Sequence, residues 1–151
     1  DRLGMDYFNL FFKREGLSET KLSRKMMDFS KRKAGIENVT SAQDIALSLR
    51  RIYHRQIKPP SISDKCIELL TSQMIHDRIP AQLPPEVVVA HKTGLERGVC
   101  HDAGIVFTEK GNFLICVLTR NGSTSAPAKR FIARLSRLTY DYLDGLPSGR
   151  L

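Results

Sequence analysis

Val87-Val88-Val89-Ala90-His91-Lys92-Thr93-Gly94 is the stretch on which the fold turns: four small or β-branched apolar residues, the composition of a buried strand, run out into a polar end and a glycine. A strand end is where a fold can aim side chains at a ligand without unpacking its core. Side chains alternate along a strand, so Lys92 and Gly94 fall on one face and Thr93 on the other before the chain is expected to turn at the glycine. An ammonium and a hydroxyl are thereby offered in alternate directions. Working outward, Glu86 to Thr119 spells this strand, a Gly- and Arg-bearing turn, a strand around Ile105-Val106-Phe107, the turn Glu109-Lys110-Gly111-Asn112 and the strand Phe113-Leu114-Ile115-Cys116-Val117-Leu118-Thr119. Three consecutive strands with short turns are expected to pair as antiparallel neighbours.

Helical signals surround this sheet. Met5 to Glu15 reads as a short helix with Tyr7, Leu10 and Phe11 on one stripe, stopped by Gly16. Leu17 to Asn38 holds no sustained period and carries Gly35, which predicts a surface loop. Thr40 with Gln43 forms a capping box for a helix whose apolar stripe is Ile45, Leu49 and Ile52. Pro59-Pro60 ends that segment, and Ser63 is expected to cap the next helix, with Ile67, Leu70 and Met74 inward. Pro80 and Pro84-Pro85 lead into the first strand. Ser125 and Pro127 open a last helix whose stripe of Phe131, Leu135, Leu138 and Tyr142 has the spacing of a helix packed on a sheet. The class is therefore α/β in content, of the α+β kind: an antiparallel sheet covered by a C-terminal helix, plus a helical lobe.

Composition narrows the function. A chain of 151 residues can bury roughly two thirds of its unfolded surface, enough for one domain. No apolar run approaches the ~20 residues of a membrane span. The net charge of +8 attracts anionic partners, yet the cations are dispersed apart from Lys31-Arg32-Lys33, aromatics are 7% of the chain and Trp is missing, so no nucleic-acid motif emerges and a solvated basic surface is expected. Cys66, Cys100 and Cys116 lack C-x-x-C spacing and read as free thiols. His54, His76, His91 and His101 show no metal-ligand spacing with them, so neither metal nor organic cofactor is implied. The opening Asp1-Arg2-Leu3-Gly4 reads as the tail of a helix capped by glycine, without a signal-like segment, and the chain is expected to be the C-terminal portion of a larger protein.

The hairpin resembles that of the penicillin-recognising serine hydrolases, the superfamily of class A β-lactamases and D-Ala-D-Ala peptidases, whose third motif is K-T-G. The likeness extends over nearly the whole chain and covers part of the family's fold. It implies that residues 1–151 are the C-terminal portion of a single β-lactamase-like domain. It also implies an acyl-enzyme mechanism on a β-lactam or a peptidoglycan stem peptide, with no cofactor, outside the cytoplasmic membrane, in the periplasm, the cell envelope or the medium. By resemblance Lys92 and Thr93 bind the substrate carboxylate, Gly94 lets the substrate lie against the strand, and the backbone N–H of Leu95 is one oxyanion donor. Arg97 is a candidate second cation for that carboxylate, and Glu96 reads as its salt-bridge partner.

The family's upstream motifs, S-x-x-K and S-D-N, find no counterpart in a suitable context. Ser18-Glu19-Thr20-Lys21 and Ser30-Lys31-Arg32-Lys33 match the first literally, but neither opens an apolar helix, and both serines read as turn or cap residues. Ser63-Asp64-Lys65 is not S-D-N. The chain alone is thus expected to be inactive, and its open sheet edge and apolar face should be covered by the missing N-terminal portion or by another copy of the chain. Thr20 to Asp28 resembles the start of the class A omega loop, with Met26 or Met27 where a deacylating Glu is expected and Asp28 close by. The alternatives left open are a D-Ala-D-Ala carboxypeptidase and a module that binds penicillin or peptidoglycan without turnover. His101-Asp102 is no dyad, because neighbours on a strand point to opposite faces.

Overall fold

The computed structural model describes residues 3–120 and 124–145. The chain divides into two compact units, residues 1–47 and 48–151, with the boundary inside a helix.

In the first unit, α1 (Gly4–Arg14) matches the expected helix, and Gly16 ends it with φ 71°, a left-handed conformation that suits a residue without Cβ. Gly4 is its first residue; Asp1 and Arg2 lie outside the described residues. The expected loop from Leu17 to Asn38 is interrupted by a short helix, α2 (Phe29–Lys33), which no hydrophobic period announces because none of its residues is buried. Helix α3 (Ala42–Tyr53) starts one residue later than the capping-box reading places it: Ser41 Oγ accepts from the Asp44 N–H at 3.1 Å, while Thr40 pairs its hydroxyl with Thr20. Adjacent hydroxyl residues compete for the cap, and sequence spacing cannot choose between them.

In the second unit, α4 (Pro60–Thr71) begins at Pro60 rather than after Ser63. Proline suits a first helical position, because its missing N–H would be unpaired there anyway. Ser63 is consequently inside the helix and fully buried, and Met74, expected inward, lies beyond the helix and is exposed. A 3₁₀ turn at Ile79–Gln82 leads to three strands, β1 (Val88–Glu96), β2 (Val99–Phe107) and β3 (Phe113–Arg120), in the antiparallel order β1-β2-β3. The last helix, α5 (Ala126–Asp144), packs on β2, β3 and the 3₁₀ turn.

The core lies between sheet and helix: Val89, Cys100, Val106, Ile115 and Val117 from the strands meet Ile79 and, from α5, Ala128 and Ile132. The buried face of α5 is Ala128, Ile132, Ala133 and Ser136, so the expected stripe is displaced: Phe131, Leu138 and Tyr142 are exposed, and only Leu135 packs partly against the core. Small residues let a helix axis approach a sheet closely, which the bulky stripe would prevent. The architecture is otherwise the one expected, helices with an antiparallel sheet and a covering C-terminal helix.

Candidate substrate site on the first strand

Strand β1 does not end at the glycine. It continues through Gly94 and Leu95 to Glu96, and the turn is the two residues Arg97 and Gly98, closed by the pair Glu96–Val99. Gly98 takes φ 82°, and this, not Gly94, is the glycine that the turn requires. Gly94 serves by its missing side chain: it faces His101 across the ladder, where an added Cβ would stand 3.4 Å from that ring. Lys92 is exposed and Thr93 buried, as strand alternation predicts. Lys92 Nζ donates to its neighbour's carbonyl, Thr93 O, at 2.5 Å. Leu95 is half exposed and Arg97 stands on the exposed turn. Among the described residues β1 is an edge strand, with β2 as its ladder partner and α4 packed against it.

Behind this segment lies a polar cluster that the sequence reading missed. His91 and Asp102 are fully buried, and His91 Nδ1 lies 2.9 Å and 3.1 Å from the two carboxylate oxygens. Asp102 Oδ2 also accepts from the Ile79 N–H at 3.0 Å. Arg78, 1% exposed, donates from Nε to Cys100 Sγ at 3.3 Å and sets Nη1 3.2 Å from Asp77, whose other oxygen meets Lys129 of α5 at 2.6 Å. The 3₁₀ turn, both strands and α5 are thereby tied together by charge-assisted contacts. His101, by contrast, faces away from Asp102 and accepts at Nδ1 from the Thr119 N–H at 3.0 Å. Cys116 is the register partner of Ala103; burial, and secondarily the Asp102 charge, push its thiol up to about 11.

In the first unit, the segment 20–28 is held at both ends. Lys21 and Val39 exchange backbone hydrogen bonds at 2.9 Å and 3.0 Å, Asn38 accepts from the Ser23 and Arg24 N–H groups, and Asp44 accepts from the Glu19 N–H and the Thr20 hydroxyl. Arg24 is buried; it pairs with Glu37 and donates from Nη1 to the carbonyls of Lys25 and Met26. Met26 and Met27 themselves are exposed at a turn. Asp28 is the N-cap of α2: it accepts from the Lys31 N–H at 3.0 Å and from Ser30 Oγ at 2.8 Å, and the Lys31 backbone bond first, then Ser30, holds its carboxyl below the usual range. Ser30 is therefore a cap partner on a five-residue helix and Ser18 a turn residue, as expected of both. Cys66, Cys100 and Cys116 are free, and among the described residues no group of three His, Cys, Asp or Glu side chains is placed to hold a metal ion. No helix among them is long and apolar enough to cross a membrane.

A model of the β-lactamase enzyme family matches residues 1–143. The chain belongs to that family. No curated protein sequence matches it. Among solved structures, PBP-A superposes with a TM-score of 0.85 at 24% identity over 95% of this chain and 52% of its own. A PBP-A variant solved as the acyl-enzyme complex with penicillin G gives the same score and identity over 53% of that chain. The β-lactamase from Sphaerobacter thermophilus DSM 20745 follows, with a TM-score of 0.83 at 23% identity over 97% of this chain and 56% of its own. These likenesses establish the β-lactamase fold. The chain spans about half the length of the solved chains it matches.

Proposed function

We propose that residues 1–151 are the C-terminal portion of a single β-lactamase-like domain, and that the complete protein is a serine hydrolase that is acylated by β-lactams or related D-Ala-D-Ala peptides. The observation that carries this is the K-T-G segment set in an edge strand of a family sheet. Lys92 and Thr93 leave β1 in opposite directions, so one carboxylate meets both only by lying along the strand's open edge. Lys92 supplies the positive charge and Thr93 a hydroxyl donor, interactions that strengthen as water is expelled. Gly94 keeps that edge low, and the Leu95 N–H serves as an oxyanion donor, a role of geometry that its side chain does not alter. Arg97, at the exposed turn, is the rim cation.

The nucleophile belongs to the missing portion, so the isolated chain neither hydrolyses a cephalosporin nor takes up a penicilloyl group. That portion, or a second copy of the chain, covers the other edge of the sheet, at β3, and leaves the β1 edge to the substrate. With Met26 or Met27 at the deacylation position and Asp28 committed to its cap, the acyl-enzyme is long-lived. This favours a penicillin-binding or slow peptidase behaviour over rapid antibiotic turnover, and the acyl-enzyme complex of a PBP-A variant with penicillin G supports a β-lactam as the ligand class. A location outside the cytoplasmic membrane suits such a substrate. The test is acylation of the complete protein by penicillin G, followed by mass spectrometry. Lys92→Ala slows it strongly and Thr93→Val more mildly, by the ~1.5–3 kcal/mol of a hydrogen bond to a charged group. Unchanged rates in both variants, with the fold intact, would show that K-T-G is here only a strand end.

A further inference from the structure

The geometry points to His91 as a positioning residue for the K-T-G segment: its bond to Asp102 locks β1 and β2 in the single register that turns Thr93 inward and Lys92 outward. The inference rests on the ligand-binding reading of Lys92 and Thr93 above.

The register places His91 opposite Gly104 and Thr93 opposite Asp102. The His91–Asp102 bond is therefore a diagonal, crossing the ladder beside the motif. It exists because position 104 has no side chain: a Cβ there would stand 2.5 Å from His91 Cβ and 2.7 Å from the Ala90 carbonyl oxygen. The carboxylate offers no proton, so Nδ1 of His91 is the nitrogen that donates. Asp102 takes a second bond from the Ile79 N–H, so the diagonal is anchored to the segment that precedes the strand as well as to the strand itself. A buried carboxylate is costly unless such donors face it. A slip of one residue would turn every side chain of β1 to the other face, sending His91 to water and Lys92 inward and leaving Asp102 without its ring donor. The bond thus penalises the one error that would scramble the motif. Neither His91 nor Asp102 is accessible to a ligand, so their effect on one passes through strand position alone.

The experiment compares His91→Leu, which removes the donor, with His91→Asn, whose amide N–H stands near the place of Nδ1, in the complete protein at a temperature where both are folded by circular dichroism. Two readouts are taken: the rate of acylation by penicillin G, and hydrogen exchange at those amides of β1 that face β2 around Lys92 and Thr93. His91→Leu is expected to lose acylation by roughly 10²-fold, the scale of a misplaced reacting group, and to exchange faster at the amides that face β2, while His91→Asn restores both readouts. Equal loss in the two variants would show that ring packing and not the hydrogen bond matters, and overturns the proposal, as does a folded His91→Leu protein with wild-type rate and exchange. Should His91→Leu fail to fold, Asp102→Ala, which removes the acceptor, replaces it, with the same expectations. Failure of the wild-type protein to acylate would refute the hydrolase reading instead, and the positioning role would then be decided by exchange alone.

Discussion

Replacing Gly104 by alanine tests the packing on which the first hairpin depends. The new Cβ would sit 2.5 Å from His91 Cβ and 2.7 Å from the Ala90 carbonyl oxygen, against a comfortable separation of about 3.5–4.0 Å between carbons. One of those obstacles is backbone and the other is fixed to it, so no rotamer change relieves them and the strands must part by about 1 Å locally. Overpacking of this kind costs ~1–3 kcal/mol, and the backbone obstacle places the case near the upper end. Against it stands the ~0.4–1 kcal/mol that a Gly→Ala change gains by restricting the unfolded chain. The net expectation is a loss of about 2 kcal/mol. Gly94→Ala is the internal control, because its Cβ would meet only the His101 side chain, at 3.4 Å, and stability should stay within ~0.5 kcal/mol. Urea unfolding of the complete protein, followed by circular dichroism, reads both. If Gly104→Ala unfolds at the same midpoint as Gly94→Ala, the close approach of β1 and β2 at His91 is not a real constraint and the reasoning fails.

Other outcomes follow from the same structure. On the proposal that Met26 or Met27 holds the deacylation position, Glu in its place should speed product release within the ~10²–10⁴ range of general-base help; an acyl adduct that already vanishes within a normal turnover in the unmodified protein would mean that another residue, Asp28 included, activates the water. Cys116 should alkylate slowly at neutral pH and faster as the pH climbs from its ordinary value of 9.0 toward about 11. Because the folded thiol holds its proton after the unfolded one has lost it, stability falls as pH rises through that window; labelling of Cys116 that is already complete at pH 8 would contradict the upward shift of this half-buried thiol.

Elements with strong punctuation were legible in the sequence, and faces were less so. Gly16 and the Gly98 and Gly111 turns mark their boundaries with positive φ, and the three strands emerge from apolar runs between such marks. Helix α5 was legible as a helix, but its inward side was not: period alone favours the bulky residues Phe131, Leu138 and Tyr142, whereas close packing on a sheet selects Ala128, Ala133 and Ser136. Helix α2 is invisible to any periodicity argument because it buries nothing. Within the site, alternation gave the opposite directions of Lys92 and Thr93 and rejected the His101-Asp102 dyad. The partner of Asp102 escaped because the turn was set at Gly94. Had Arg97-Gly98 been taken as a two-residue turn, counting back through the ladder would have set Thr93 opposite Asp102 and His91 on its diagonal.

The strand order β1-β2-β3 is also the order of the chain, and this bears on how the molecule is made. Each strand pairs with its immediate successor, so the contacts that set Lys92 and Thr93 in place span short loops and cost little closure entropy. Hairpins of this kind zip in ~1–10 μs, whereas contacts that span long loops form slowly. The motif's register is consequently a local decision, taken by some thirty residues on their own. Folding kinetics would express it as transition-state values near one at hairpin positions such as Ile105, which stands outside the core shared with α5, with α5 docking afterwards.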